Sequence, residues 1–238
     1  MNNKKENPIL SIIFNLIVPV IILKNGDSWL GVDNSFFGID TSVLVLIISL
    51  SFPFFYFIND LRLNTKVNFI AVLGFVNILL TGLIGILGEK YGISRMWFIV
   101  KESVIPFTIG SLILLSMKSK SPLVKNLIYN PIIFDVQKIN ENIVESSKES
   151  FDMLFKSSTY LISSSFFMSS LIQFFLASYI VTVDPGQPKF NDQVGTMTWV
   201  SYFVVMVPCM SMFGYAIWIL IQGIKRLTGL ETEEILNN

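Results

Sequence analysis

The chain has 238 residues, of which 52% are hydrophobic and 14% charged, and its mean hydropathy is +0.63. A soluble domain carries about 25% charged residues, so this composition indicates an integral membrane protein. The formal net charge is zero, which excludes the basic field expected of a nucleic-acid-binding protein. The chain contains no histidine and one cysteine, Cys209, so we predict no metal site, no cofactor and no internal disulfide.

Six apolar stretches are long enough, or nearly so, to cross a bilayer, whose core of about 30 Å needs roughly 20 helical residues. Lipid cannot hydrogen-bond to backbone groups, so each stretch is predicted to be a helix. The predicted helices are 9–23, 42–58, 67–88, 96–117, 160–183 and 196–224. We therefore predict an all-α polytopic membrane protein in which residues 1–238 form a single transmembrane domain.

The first stretch follows Lys4 and Lys5, as the apolar part of a secretory signal would. The residues after it, 24–29, lack a small-x-small cleavage site, so we expect a retained helix. It has only 15 apolar residues from Ile9 to Leu23. Either a full span or a shallow position in the bilayer is compatible with that length.

The positive charges are unevenly divided between the predicted loops. If the N-terminus is inside, 12 Lys and Arg residues lie on the cytoplasmic side and 5 on the outer side. Cytoplasmic loops carry an excess of these residues, so the bias predicts that both termini are cytoplasmic. Trp29, Trp97 and Trp199 then fall at the outer boundary, where indole rings prefer to lie.

The longest loop, 118–159, is predicted to be cytoplasmic and amphipathic. A helix is expected over Val136–Phe155, because its apolar and charged residues fall mostly on opposite faces. This helix either lies along the membrane surface and continues into the fifth predicted helix, or packs on the cytoplasmic ends of the bundle. The acidic tail Glu231–Asn238 is expected to be mobile.

Small and polar residues recur within the predicted helices at spacings of three, four or seven, which place them on one face of each helix. Such stripes either allow close, hydrogen-bonded helix packing or line a polar cavity. Prolines also lie within four of the predicted helices and are expected to bend them. These prolines are Pro19, Pro53, Pro106 and Pro208.

The best candidate for chemistry is the Lys101–Glu102 pair, which lies inside the fourth predicted helix near the outer leaflet. Ionisable residues within a membrane are functional candidates by default. In the structural alternative, Lys101 reaches the outer headgroups and Glu102 is capped by a nearby donor. Neighbouring positions on a helix lie about 100° apart, so we expect the two side chains not to face each other.

Glu102 is expected to face the bundle interior, beside a vestibule left by Gly82, Gly85 and Gly88. The candidate intramembrane polar site consists of Lys101, Glu102, Asn77, Thr81, Ser169, Gln173 and Tyr215. No catalytic residues are predicted.

Four segments are similar to one group of bacterial proteins: Asn7 to Pro19, Lys66 to Gly85, Trp97 to Gly110 with its Lys-Glu pair and proline, and Ser121 to Pro131. The chain resembles the inner-membrane proteins related to intracellular septation protein A. That resemblance implies a multi-pass protein of the bacterial cytoplasmic membrane, linked to septation and envelope maintenance. Some members carry the label of major-facilitator transporters, which have two six-helix halves. This chain supplies one half, and a homodimer would restore the count.

From these observations we expect a non-enzymatic inner-membrane protein that supports envelope maintenance or septation through contacts within the membrane. The expected partners are the lipid bilayer and other membrane proteins or a second copy of the chain, and not nucleic acid. The alternative is a small-molecule or ion transporter or channel, with its polar site near the outer end of the fourth helix.

Overall fold

The structure, a computed structural model, describes residues 13–31, 35–36, 38–63, 69–118, 122, 124–125, 129, 133–187 and 189–237. A π-helical turn, Ile13–Ile17, leads into α1 (Val18–Leu30). A short antiparallel ribbon, β1 (Ser35–Phe36) and β2 (Ile39–Asp40), precedes α2 (Thr41–Leu63). The other helices are α3 (Phe69–Tyr91), α4 (Arg95–Ser116), α5 (Val136–Asn142), α6 (Lys148–Ile180), α7 (Phe190–Val204), α8 (Met206–Thr228) and α9 (Thr232–Ile235).

The expected all-α membrane class is confirmed by the length and composition of these helices. Within the described residues, five helical stretches are long and apolar enough to cross a bilayer. They are Ile13–Leu30, Thr41–Asn59, Arg95–Ser116, Lys148–Ile180 and Phe190–Thr228. Helix α3 also has 23 residues, and its described side chains include the apolar stretch Leu79–Gly88.

The first helix continues beyond its predicted end at Leu23 to Leu30, whereas residues 9–12 lie outside the described part of the chain. Its polar residues bond to the helix itself: Asn25 Nδ2 donates to the carbonyl of Ile21 at 2.9 Å. Gly26 is a packing residue, because a Cβ there would lie 2.7 Å from Cγ1 of Val45 on α2. A glycine that would otherwise suggest a helix end thus permits two helices to approach closely.

The continuous helix predicted over Val136–Phe155 is wrong, because the chain becomes extended at Ile143 after α5. Helix α6 starts at Lys148 instead of near residue 160, and its 33 residues span about 50 Å. This length exceeds the bilayer core of about 30 Å, so part of α6 extends outside it.

The last predicted helix, 196–224, is two helices. It begins earlier, at Phe190, and is interrupted at Val205 between α7 and α8. Pro208 explains the interruption, because it has no N–H to donate to the carbonyl of Val204 and its ring clashes with that carbonyl. Helix α8 ends at Gly229, whose φ of 71° is the left-handed conformation that glycine adopts without strain.

The chain divides into two compact units, and unit 1 comprises Met1–Glu102 and Gln173–Phe203. Its core of buried apolar residues consists of Leu23, Leu46, Phe98, Ile99, Ala177, Val181, Phe190, Val194 and Met197. Glycines bring its helices together. A Cβ at Gly85 would lie 2.1 Å from Cδ2 of Leu46, and one at Gly195 would lie 3.2 Å from Cβ of Leu23.

Unit 2 comprises Ser103–Ile172 and Val204–Asn238. Its core includes Phe134, Ile139, Phe155, Ile224 and Ile235, with contributions from α5, α6, α8 and α9. Because Ile139 is fully buried in this cluster, α5 packs against the ends of other helices, which supports the second of the two predicted positions for this segment.

The expectation of a mobile tail is wrong for its described residues, 231–237. They form the capped helix α9 and a β-bridge between Phe134 and Leu236. The buried side chain of Ile235 anchors this segment, since burying such a side chain stabilises by about 1.5–3 kcal/mol.

Candidate functional site

The position of Lys101 follows from how α4 begins. The backbone N–H of Arg95 donates to Asp184 Oδ1 at 2.7 Å, and the Arg95 guanidinium donates to the carbonyl of Val181 at 3.0 Å. Asp184 thus satisfies one of the free N–H groups at the helix N-terminus. The helix therefore starts at Arg95, close to the predicted residue 96, and Lys101 lies in its second turn.

The ammonium of Lys101 is surrounded by three oxygen acceptors. Its Nζ donates to Asn77 Oδ1 at 2.8 Å, to Thr81 Oγ1 at 2.8 Å and to Glu102 Oε1 at 2.5 Å. A lysine ammonium has three N–H donors, so the number of acceptors matches the number of donors. The ammonium also lies 4.8 Å from the centre of the Phe98 ring, within the range of a cation–π interaction.

Asn77 and Thr81 reach the same ammonium because they are four residues apart on α3, one helical turn along a single face. The hydroxyl of Thr81 also donates to the backbone carbonyl of Asn77 at 2.9 Å, which leaves its oxygen oriented to accept from Lys101. The predicted polar stripe on this helix therefore includes two acceptors for a cation carried by α4.

One expectation for the charged pair is wrong, and the alternative in which Lys101 reaches the headgroups is not what the structure shows. Lys101 and Glu102 do pair, because their long side chains cross the 100° between neighbouring positions; their side chains are 5% and 16% exposed. Lys101 is also turned inward and buried among protein groups, not extended towards the outer headgroups. A buried charge is costly unless it is hydrogen-bonded, and three close acceptors offset that cost for the Lys101 ammonium.

The predicted vestibule at Gly82, Gly85 and Gly88 is filled by neighbouring groups. A Cβ at Gly82 would lie 3.1 Å from Leu50 Cδ1, and one at Gly88 would lie 2.2 Å from Cβ of Pro185. Together with Gly85 against Leu46, these glycines allow close packing and do not leave open space beside Glu102.

The other three candidates make different contacts. Gln173, in unit 1, accepts a hydrogen bond from the Ser201 hydroxyl at 3.3 Å. Ser169 and Tyr215 belong to unit 2. Ser169 hydrogen-bonds with Cys209, and Tyr215 is 54% exposed and stacked on Trp218. The structure therefore brings together Lys101, Glu102, Asn77 and Thr81 of the seven predicted residues.

Sequence reasoning missed a second buried polar group in unit 1, Asn191 of α7. It is 3% exposed, and its Nδ2 donates to the carbonyl of Ser42 at 2.7 Å and to Asp27 Oδ1 at 3.4 Å. The predicted helix begins at 196, so Asn191 lies outside it. The Asp184-Pro185-Gly186 turn was the available signal that the helix could start earlier.

The crevice beside Asn191 is too small for an organic substrate. It is lined by residues of α2, α3, α7 and the preceding loop, and its interior has room for about one water molecule. Ligand pockets typically measure about 300–1,000 Å³. The described residues also contain no group of three or more Cys, Asp or Glu side chains placed to hold a metal ion.

Comparisons with models of known protein families, with curated proteins and with solved structures find no match.

Proposed function

We propose that this chain is a non-enzymatic protein of the bacterial cytoplasmic membrane that supports envelope maintenance or septation through contacts within the bilayer. Its partners would be other membrane proteins or a second copy of the chain. The resemblance of its segments to the family related to intracellular septation protein A supports the location and the process.

The observation that carries the proposal is the closed arrangement around Lys101. The buried ammonium has an oxygen acceptor for each of its three donors, and all of them come from the protein. A site that binds a substrate would keep a donor or an open position for it. This cluster instead joins α3 to α4 through polar contacts inside an apolar setting, which favours a structural role.

In the proposed topology all six predicted helices cross the membrane and both termini are cytoplasmic. The 23 residues of α3 measure about 35 Å and suffice for the sixth span. The distribution of Lys and Arg supports the orientation. So does the exposure of the indoles expected at the outer boundary, which is 64% for Trp29, 66% for Trp97 and 50% for Trp199.

A transporter or channel is the second candidate, and the interruption between α7 and α8 favours it. Secondary transporters use discontinuous helices to build binding sites at mid-membrane depth. In that case the working residues would be Lys101 and Glu102 with Asn77 and Thr81, and the ion pair would open during the transport cycle.

Complementation of a gene deletion separates the two candidates. The deletion strain would receive the wild type, Glu102→Gln, or the double variant Lys101→Met/Glu102→Gln, each at matched membrane levels, with cell length and envelope-drug sensitivity as readouts. The structural proposal predicts that the double variant restores the wild-type phenotype, because an uncharged pair still fills the space. If the double variant inserts normally and fails, the charges take part in function and the transport candidate replaces the first.

A further inference from the structure

The C-terminal segment of unit 2 is held by contacts of a kind that can open and re-form. We call residues Glu231–Asn237 the tail and define the tail site as Ile133–Lys138 with Lys225. The backbone N–H of Asp135 donates to the carbonyl of Ile235 at 2.9 Å, and that of Asn237 donates to the carbonyl of Ile133 at 2.9 Å. These bonds form an antiparallel bridge at Phe134 and Leu236.

Two ion pairs flank this bridge. Lys138 Nζ lies 2.9 Å from Glu234 Oε1, and Lys225 pairs with Glu231. The side chains of both pairs are about 40–60% exposed. Each pair therefore contributes little binding free energy and mainly selects which segment fits the tail site. The tail therefore presents a carboxylate, an apolar side chain and a short extended backbone, in that order.

The apolar side chain is the anchor. Ile235 is fully buried, as are Phe134 and Ile139 of the segment that receives it. Without the tail, Phe134, Ile139 and the backbone edge formed by Ile133–Asp135 would become more exposed. An exposed backbone edge beside an apolar pocket accepts an extended peptide by strand addition.

The chain turns just before the tail. Gly229 adopts a φ of 71°, and a Cβ at this position would have nothing within 4 Å. Leu230, the next residue, is 8% exposed and belongs to the core of unit 2, so the part that can detach begins at Glu231. Short terminal segments with few anchoring contacts open more readily than the core of a domain.

From these observations we propose that the tail is a detachable clasp over a peptide-binding site, and that the tail of a second copy of this chain occupies the same site in trans. The occupant follows from the site itself. A second copy carries the same Glu231, Glu234 and Ile235, so exchange of tails reproduces every contact of the closed form. The inference rests on unit 2 alone and is independent of the proposed function.

The test uses full-length protein and a variant ending at Leu230, both in detergent micelles, with a fluorescent peptide of residues 231–238 as the probe. The peptide should bind the shortened variant and bind the full-length chain far more weakly, because the attached tail competes at a high effective concentration. A peptide carrying Ile235→Asp should bind more than about a hundredfold more weakly, since a charge would enter the buried pocket. Equal binding of the two peptides would overturn the proposal, as would failure of the peptide to bind a folded shortened variant.

A second measurement keeps the proposal testable if the shortened variant does not fold. Spin labels at the exposed positions Gln137 and Glu233, in a full-length chain carrying Cys209→Ser, report whether the tail is docked. Lys138→Glu should broaden the distance distribution, and adding Glu234→Lys should narrow it again by restoring an opposite pair. A distribution that is unchanged by Lys138→Glu and by Ile235→Asp would show that these contacts do not hold the tail.

Discussion

Replacing Glu102 by glutamine removes the negative charge that lies 2.5 Å from the Lys101 ammonium. With side chains 5% and 16% exposed, the pair is largely withdrawn from solvent. Breaking a buried pair by removing one partner costs about 3–5 kcal/mol. Asn77 and Thr81 still accept hydrogen bonds from Lys101, and the glutamine retains an amide oxygen. We therefore expect a smaller loss for Glu102→Gln, about 2–3 kcal/mol of unfolding free energy.

Lys101→Met should cost more, about 3–5 kcal/mol, because it leaves the Glu102 carboxylate and the Asn77 and Thr81 oxygens without their donor. The double variant carries neither charge. Neutral replacement of a buried ion pair is often close to neutral for stability, so we expect the double variant to lie within about 1 kcal/mol of the wild type. The stability loss of the double variant should therefore be smaller than the sum of the two single losses. The difference should be far more than the roughly 0.5 kcal/mol within which independent sites add.

The measurement is unfolding in detergent micelles followed by tryptophan fluorescence, for which Trp97 on α4 is a nearby reporter. For a chain of this size about 1 kcal/mol corresponds to about 2–4 °C, so Glu102→Gln should lower the melting temperature by about 4–12 °C. Strict additivity of the two substitutions would refute the reasoning. Single variants as stable as the wild type would refute it too, because a buried lysine cannot lose its counter-charge without cost.

Three further predictions concern packing, a buried amide and a tyrosine. Gly88→Ala should destabilise by about 1–3 kcal/mol because its Cβ would lie 2.2 Å from Pro185, whereas Gly214→Ala, with nothing within 4 Å, should be neutral or stabilising in the same unfolding assay. Asn191→Ala should cost about 1–3 kcal/mol by removing the hydrogen bonds that its Nδ2 donates to the Ser42 carbonyl and to Asp27, and Asn25→Ala, at an exposed site, should change stability by no more than about 0.5 kcal/mol. Burial, aided by the charge of Asp135, raises the pKa of Tyr129 from 10.0 to about 12. The folded-state pKa is higher than the unfolded-state pKa, so the protonated form of Tyr129 favours the folded state. This contribution to stability is present below pH 10.0 and is lost as the pH rises through about 12. Absorbance titration of the phenolates, compared with Tyr129→Phe, checks the value, and the variant should lack this part of the alkaline loss of stability.

The membrane class and most helix positions could be predicted because hydropathy is a local property of the sequence. Helix α4 begins within one residue of its predicted start, and helices α2 and α3 lie close to the predicted ranges. The errors occur where polar residues lie within helices. Asn25 satisfies its own helix backbone, so α1 continues to Leu30, and the first turns of α6 are helical although they are charged. Hydropathy marks the part of a helix that suits lipid, whereas backbone hydrogen bonding decides where the helix ends.

The candidate site was predictable in part for the same reason. The spacing of Asn77 and Thr81 on one helix face is visible in the sequence, and so is an ionisable residue inside an apolar stretch. The contact between Lys101 and that face is a tertiary contact, which depends on how α3 packs on α4. Helix geometry alone argued against the Lys101–Glu102 pair, because it describes Cβ directions and takes no account of long, flexible side chains.

The tail was the least predictable element because its structure depends on partners far away in sequence. Its composition is acidic and polar, which taken alone suggests a solvated end of the chain. The bridge of Leu236 to Phe134 and the pairing of Glu234 with Lys138 join segments about a hundred residues apart. Burial of one side chain, Ile235, converts that composition into a docked helix, because Glu231 and Glu234, which precede it, pair with lysines. The same pattern, a buried anchor next to exposed ion pairs, is typical of reversible peptide recognition, and for this reason we interpret the tail as a bound segment whose anchor, Ile235, completes the core of unit 2.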